Sequence, residues 1–144
     1  MDALRRDTDY ALRMMVSLAR HDRLHGVSTR QLAMDEGVPY PLACKLMQSL
    51  GHAHLVESTM GPKGGFRLSR DPAQVRVMDV IEAVQGLVTL KGCLTKLSVC
   101  LRRDDCCIRA AFGDLQAMMD EFFTRISLQD LLDRSSPGCK GAMR

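Results

Sequence analysis

Apolar residues in the first half of the chain fall into short blocks with helical spacing, separated by turn residues. Residues 9–20, DYALRMMVSLAR, put Leu12, Val16, Leu18 and Ala19 on one broad stripe and predict a helix. HDRLHG interrupts it. In VSTRQLAMDEGV, Ser28 stands three residues before Gln31, a capping-box pattern. Leu32 and Ala33 then face inward, and Gly37 ends a short helix. PYPLACKLMQSLGHAHL follows almost at once. Pro41 suits a first helical turn, and Leu42, Leu46 and Leu50 recur every four residues. Two short helices joined by a Gly-containing turn are a helix-turn-helix pattern.

The pattern then changes period. HLVEST and FRLSR read as strands on either side of MGPKGG, a turn with three glycines. A hairpin directly after a recognition-helix candidate predicts a winged helix-turn-helix. VRVMDVIEAVQG predicts a helix from about Val77 to Gly86, and residues 87–105 show no sustained periodicity. Ile108, Phe112, Leu115, Met119, Phe122 and Ile126 are spaced 4, 3, 4, 3, 4, a heptad seam. So narrow a seam predicts a dimerisation helix over 108–126, with packing against the chain's own body as the competing arrangement. SLQDLLDR reads as a short terminal helix and SSPGCKGAMR as a flexible tail. The expected fold is mostly α with a small β-wing. It divides into a DNA-binding region (1–86), a cysteine-rich loop (87–107), helices (108–134) and a tail (135–144), all in one structural domain.

Composition narrows the function. A chain of 144 residues with ten methionines and no tryptophan suits one domain with an aliphatic core. No apolar run approaches the roughly 18 residues of a membrane span, and the N-terminus lacks the apolar core of a signal peptide. A cytoplasmic protein without membrane contact is expected. Residues 1–70 carry ten Lys and Arg against seven Asp and Glu, whereas 71–144 carry ten against ten. The surplus of the first half fits an anionic partner. No Walker A, Rossmann or hydrolase-triad pattern is present, so no enzymatic activity is expected.

The stretch CLTKLSVCLRRDDCC, residues 93–107, holds four of the six cysteines. In a reducing compartment such a cluster is metal or redox chemistry rather than a disulfide framework. The residues leave several readings open. Three thiolates on one loop suit an iron–sulfur cluster. A thiol switch needs two cysteines, such as Cys100 with Cys106 or Cys107. Structural zinc uses thiolates too, usually as paired C-x2-C knuckles, which are absent. An iron–sulfur redox enzyme would need a substrate pocket as well.

The segments TDYALRMMVSLA, VSTRQLA, VPYPLACKLMQSL, GPKGGFRLSR and VIEAVQG together resemble the Rrf2 family of bacterial winged-helix regulators, which includes IscR-, NsrR- and RirA-like members. The resemblance runs from about Thr8 to Leu132. It implies a homodimeric regulator, such as a repressor, on double-stranded operator DNA, with a 4Fe–4S or 2Fe–2S cluster reporting redox, iron or nitric-oxide status. Tyr40, Lys45, Gln48 and Ser49 are then candidates on the outward side of the recognition helix, with Ser28 suited to a phosphate contact. In the wing, Gly64 and Gly65 allow close approach, and Lys63 and Arg67 supply cations. Where many relatives have arginine before the wing's Gly-Pro, this chain has Met60.

The spacing Cys93-x6-Cys100-x5-Cys106 is similar to the family's ligand spacing. The resemblance implies those three as ligands, with Asp9 of the other subunit as a fourth. Cys107 is left as a substitute ligand, a resolving thiol or a small buried residue. Asp104 and Asp105 are expected to cap the following helix. Cys44 is expected to pack and Cys139 to lie in the tail.

Overall fold

The computed structural model describes residues 3–21, 24–62, 64–95 and 100–134. Lys63, Cys139 and the expected tail over 135–144 lie outside the described residues. The helices are α1 (Arg6–Arg20), α2 (Thr29–Glu36), α3 (Tyr40–His52), α4 (Val77–Gln85), α5 (Cys107–Arg125) and α6 (Leu128–Arg134). Strands β1 (Val56–Thr59) and β2 (Gly65–Leu68) pair antiparallel, Val56 opposite Leu68 and Thr59 opposite Gly65. The chain is a winged helix with a long C-terminal helix.

Helix α1 starts three residues earlier than its apolar stripe predicts. The buried Thr8 hydroxyl donates to Gln85 Oε1 at 2.6 Å, and the Arg5 amide reaches the same oxygen at 2.9 Å. The Gln85 amide donates in turn to the Ala3 carbonyl at 3.0 Å. A side chain at the end of α4 thus anchors the start of α1, which has no side-chain cap of its own. The stripe is also shifted. Ala11, Met14, Met15 and Leu18 are buried, and Leu12 and Val16 lie half-buried on the flank. Packing against α2 on one side and α4 and α6 on the other makes α1 the central helix, so its buried face is wider than one stripe.

Local chemistry sets the ends of α2. Ser28 Oγ accepts the Gln31 amide at 3.1 Å, and Gly37 ends the helix at φ 63°. The reciprocal half of the capping box is replaced, since Gln31 donates its side-chain amide to Asp35 instead. In α3, Leu46 and Leu50 are buried and Leu42 is half-buried. Burying side chains of that size contributes about 1.5–3 kcal/mol each. The hairpin gains a third edge where Val27 and Phe66 exchange two backbone hydrogen bonds of 2.8 Å.

The seam on α5 divides. Met119 and Phe123 pack with Val77, Ile81, Val88 and Ile126, inside the chain's own body. Ile108, Leu115, Met118 and Phe122 are each about half exposed or more. At ~100° per residue these four fall within about 80° of each other, one continuous apolar row. Half of the expected seam is therefore covered in cis and the other half is open. None of the nineteen residues of α5 is fully buried.

Helix α6 docks back on α1, with Leu128 fully buried. Asp130 accepts hydrogen bonds from the Ser127 amide and hydroxyl, both at 2.8 Å. The Ser127 backbone bond, then its hydroxyl bond, hold the Asp130 carboxyl below the usual carboxylate range. A depressed folded value means the contribution is complete above the unfolded value and lost as pH falls through the folded one. Thermal melts of Asp130→Asn should therefore lie below wild type at neutral pH and converge with it in acid. A gap that persists unchanged in acid would remove this carboxylate as the cause.

Candidate DNA interface and cysteine site

Lys45, Gln48 and His52 are exposed along one row of α3, spaced three and four residues apart. Among the described residues, the side chains of Lys45 and Gln48 have no hydrogen-bond or ion-pair partner, which leaves their donors for base edges or phosphates. Tyr40, at the start of α3, is 44% exposed, and the Arg30 guanidinium lies 4.6 Å from its ring centroid. This stacking fixes both side chains at the junction of α2 and α3. Ser49 is half-buried, and its hydroxyl turns back to the Lys45 carbonyl at 3.3 Å.

The wing differs from its sequence-level reading. Arg67 Nε lies 2.7 Å from Glu57 Oε1 on the paired strand, so its charge is compensated within the hairpin. Gly64 and Gly65 serve close approach inside the protein. A Cβ on Gly64 would meet the Thr59 carbonyl oxygen at 2.4 Å, and one on Gly65 would meet the Val27 carbonyl at 2.4 Å.

Residues 88–94 run back along α5. Gln116 accepts the Leu90 amide at 2.9 Å and donates to the Val88 carbonyl at 2.8 Å. Lys91 Nζ lies 4.6 Å from the Phe112 ring centroid. Cys93, in a 3-10 turn over Gly92–Leu94, offers its carbonyl to Arg109 Nε at 3.2 Å. Arg109 also donates its backbone amide to Cys106 Sγ at 3.4 Å. Cys106 is thus the N-cap of α5, the role expected of Asp104 or Asp105.

Cys100 and Cys107 are exposed, and Cys44, Cys93 and Cys106 are partly buried; all five are free thiols. The chemistry of the donor set fits an iron–sulfur cluster. The thiols are not gathered here: among the described residues, no three His, Cys, Asp or Glu side chains form a metal-binding group. Asp9 lies exposed on α1, 3.8 Å from Arg13 one turn on, and is not that helix's cap. Arg13 also reaches the Glu36 carbonyl at 2.8 Å, tying α1 to the end of α2.

A family model described as an iron-dependent transcriptional regulator, Rrf2, matches residues 4–134. The chain belongs to the Rrf2 family. The IscR regulator of Xenorhabdus nematophila is 31% identical over 123 residues, 85% of this chain and 74% of that one. CymR of B. subtilis, titled the global cysteine regulator, superposes with a TM-score of 0.81 at 20% identity, covering 94% of this chain and all of that one. IscR of T. potens gives 0.73 at 24% identity, covering 98% and 93%. The two structural likenesses establish the fold. The Xenorhabdus relative is named an HTH-type transcriptional regulator. Among the described residues, no helix is long and apolar enough to cross a membrane.

Against this Rrf2 frame, the structure puts Lys45 and Gln48 on one exposed row of α3, with Tyr40 exposed at the start of that helix, and ties Cys93 and Cys106 to one arginine. It does not bring Cys100 or Asp9 to them. Three residues escaped the sequence reading: Arg30, Arg109 and Gln116. They act through partners that local patterns do not disclose.

Proposed function

We propose that this Rrf2-family chain is a homodimeric operator-binding regulator controlled by an iron–sulfur cluster. Cys93, Cys100 and Cys106 would hold the cluster, with Asp9 of a second copy completing the ligand set. The observation that carries this reading is the double role of Arg109. Its side chain holds the Cys93 carbonyl and its amide donates to the Cys106 cap of α5, so two cysteines far apart in sequence are tied to one residue while Cys100 stays exposed. When bound, the cluster supplies a centre that reacts with oxidants or nitric oxide and forms only when iron and sulfide are available.

The chain's own residues supply the coupling. Gln116 and Arg109 fasten the loop to α5, and the same helix presents the open row Ile108, Leu115, Met118 and Phe122. Burying that row against a second α5 would fix the separation of two α3 helices, which must reach successive major grooves. A coupling of about 1–3 kcal/mol between loop order and that separation changes operator affinity roughly 5- to 150-fold.

A cluster-free thiol switch is the second reading. It is supported by the exposure of both Cys100 and Cys107 and by the likeness to CymR. Anaerobic reconstitution with visible absorption and iron and sulfide analysis separates the two. Bound iron and sulfide with broad visible absorption support the cluster. A colourless protein that binds neither sinks it and leaves the thiol switch.

A further inference from the structure

We propose that Met60 is an apolar wedge that enters operator DNA from the tip of the wing, making the operator's deformability part of what this regulator reads. The proposal rests on the DNA-binding reading of α3 and extends it to the wing. Met60 directly follows β1 and is 97% exposed, and Leu24, across the same surface cleft, is 80% exposed. Pro62 lines that cleft too. Single exposed apolar residues are ordinary on protein surfaces. Here they gather at the end of the hairpin, the element that a winged helix lays against the duplex beside its recognition helix.

The tip is held in place. The Gly64 amide closes the turn on the Gly61 carbonyl at 2.8 Å, and Gly61 adopts φ 109°. Thr59 Oγ1 bonds both the amide and the carbonyl of Gly65 at 3.1 Å. A Cβ on Gly26 would meet Thr59 Oγ1 at 2.3 Å, so the segment after Leu24 lies directly on the hairpin. A pre-organised turn loses little freedom when its side chain inserts. The charge pattern points the same way. Arg67 is bound to Glu57, and the described tip residues Met60, Gly61 and Pro62 carry no charge, while Lys63 lies outside the described residues. Unbranched, polarisable methionine suits insertion between base steps, where apolar side chains unstack and kink a duplex. Flexible pyrimidine–purine steps would be favoured at that position.

The test uses the full chain, prepared both with and without oxygen, and duplexes that the wild-type protein retains from a random-sequence pool. A retained duplex is labelled with 2-aminopurine at successive steps beside each half-site. Wild type should raise the emission at one step per half-site. Met60→Ala should remove that signal and weaken binding roughly tenfold, the scale of one lost base contact, without changing the salt slope. Lys45→Ala, the comparison, should lower the slope by about one. Met60→Ala with wild-type affinity, or with an unchanged 2-aminopurine signal, overturns the wedge while α3 recognition stands. If the pool yields no retained duplex, the DNA-binding reading falls and the wedge with it.

Discussion

Cys106→Ser and Cys106→Ala should both emerge from anaerobic reconstitution without bound iron or sulfide and without visible absorption. Two roles meet at this residue, and the pair of substitutions separates them. The sulfur accepts the Arg109 amide and starts α5. It is also the proposed ligand nearest the helix dipole. A serine hydroxyl still accepts that amide, and serine is a good N-cap, so Cys106→Ser should melt with wild type. Alanine removes the cap as well and should destabilise the protein by about 0.5–2 kcal/mol. Cys107→Ser, one residue on, should keep the full iron and sulfide content, because its exposed thiol has no role in the proposed set. Wild-type iron and sulfide in Cys106→Ser would strike Cys106 from the ligands. Loss of both in Cys107→Ser would mean that the adjacent thiol had been passed over wrongly.

What the sequence disclosed follows from where the controlling partner lies. Helix α2 was legible because Ser28 and Gly37 are its own cap residues, acting within one turn. The wing was legible because strand alternation and a glycine-rich turn are local too. The start of α1 was not, since the group that receives Thr8 is 77 positions away on α4. The heptad on α5 reads as one seam in the sequence, whereas in the fold it divides into a covered and an exposed row. Residues 112 and 119 alternate in sequence with 108 and 115, and only the fold tells which row its own body covers. Arg109 and Gln116 look like ordinary helix-surface residues for the same reason. Their partners, Cys93, Val88 and Leu90, come from a loop without periodicity.

The attachment of residues 88–94 to α5 also gives a loop lacking regular structure a direct link to the proposed dimer contact. Residues 88–94 lie along α5 on the side next to its open row, so the loop's anchors and the proposed interface share one rigid helix. A change in loop order reaches that helix directly, at Arg109 and Gln116, the sequence neighbours of Ile108 and Leu115. No path through the winged-helix core is required. Helix α1, which carries Asp9 and ties to α2 through Arg13, would provide the second connection.

Gly65→Ala should cripple operator binding by at least roughly tenfold and lower stability by about 1–3 kcal/mol, the usual range for overpacking. The added Cβ would sit 2.4 Å from both the carbon and the oxygen of the Val27 carbonyl. These are backbone atoms, so no rotamer change relieves the contact, and one chain must move. Moving it stretches the two 2.8 Å hydrogen bonds between Val27 and Phe66, each worth about 0.5–1.5 kcal/mol net. The same shift breaks the Thr59–Gly65 bonds that hold the turn carrying Met60. The wing then leaves the position it must hold beside α3, and Ser28, next to Val27, is displaced with it. Gly51→Ala is the comparison, because a Cβ there meets nothing within 4 Å. Near the end of α3 it should be neutral or stabilise slightly by reducing unfolded-chain entropy. Melting curves and salt-dependent operator titrations of the two variants check this. Wild-type affinity in Gly65→Ala would mean that the wing's contact with residue 27 is dispensable for recognition, and with it the rigid placement of the wing tip.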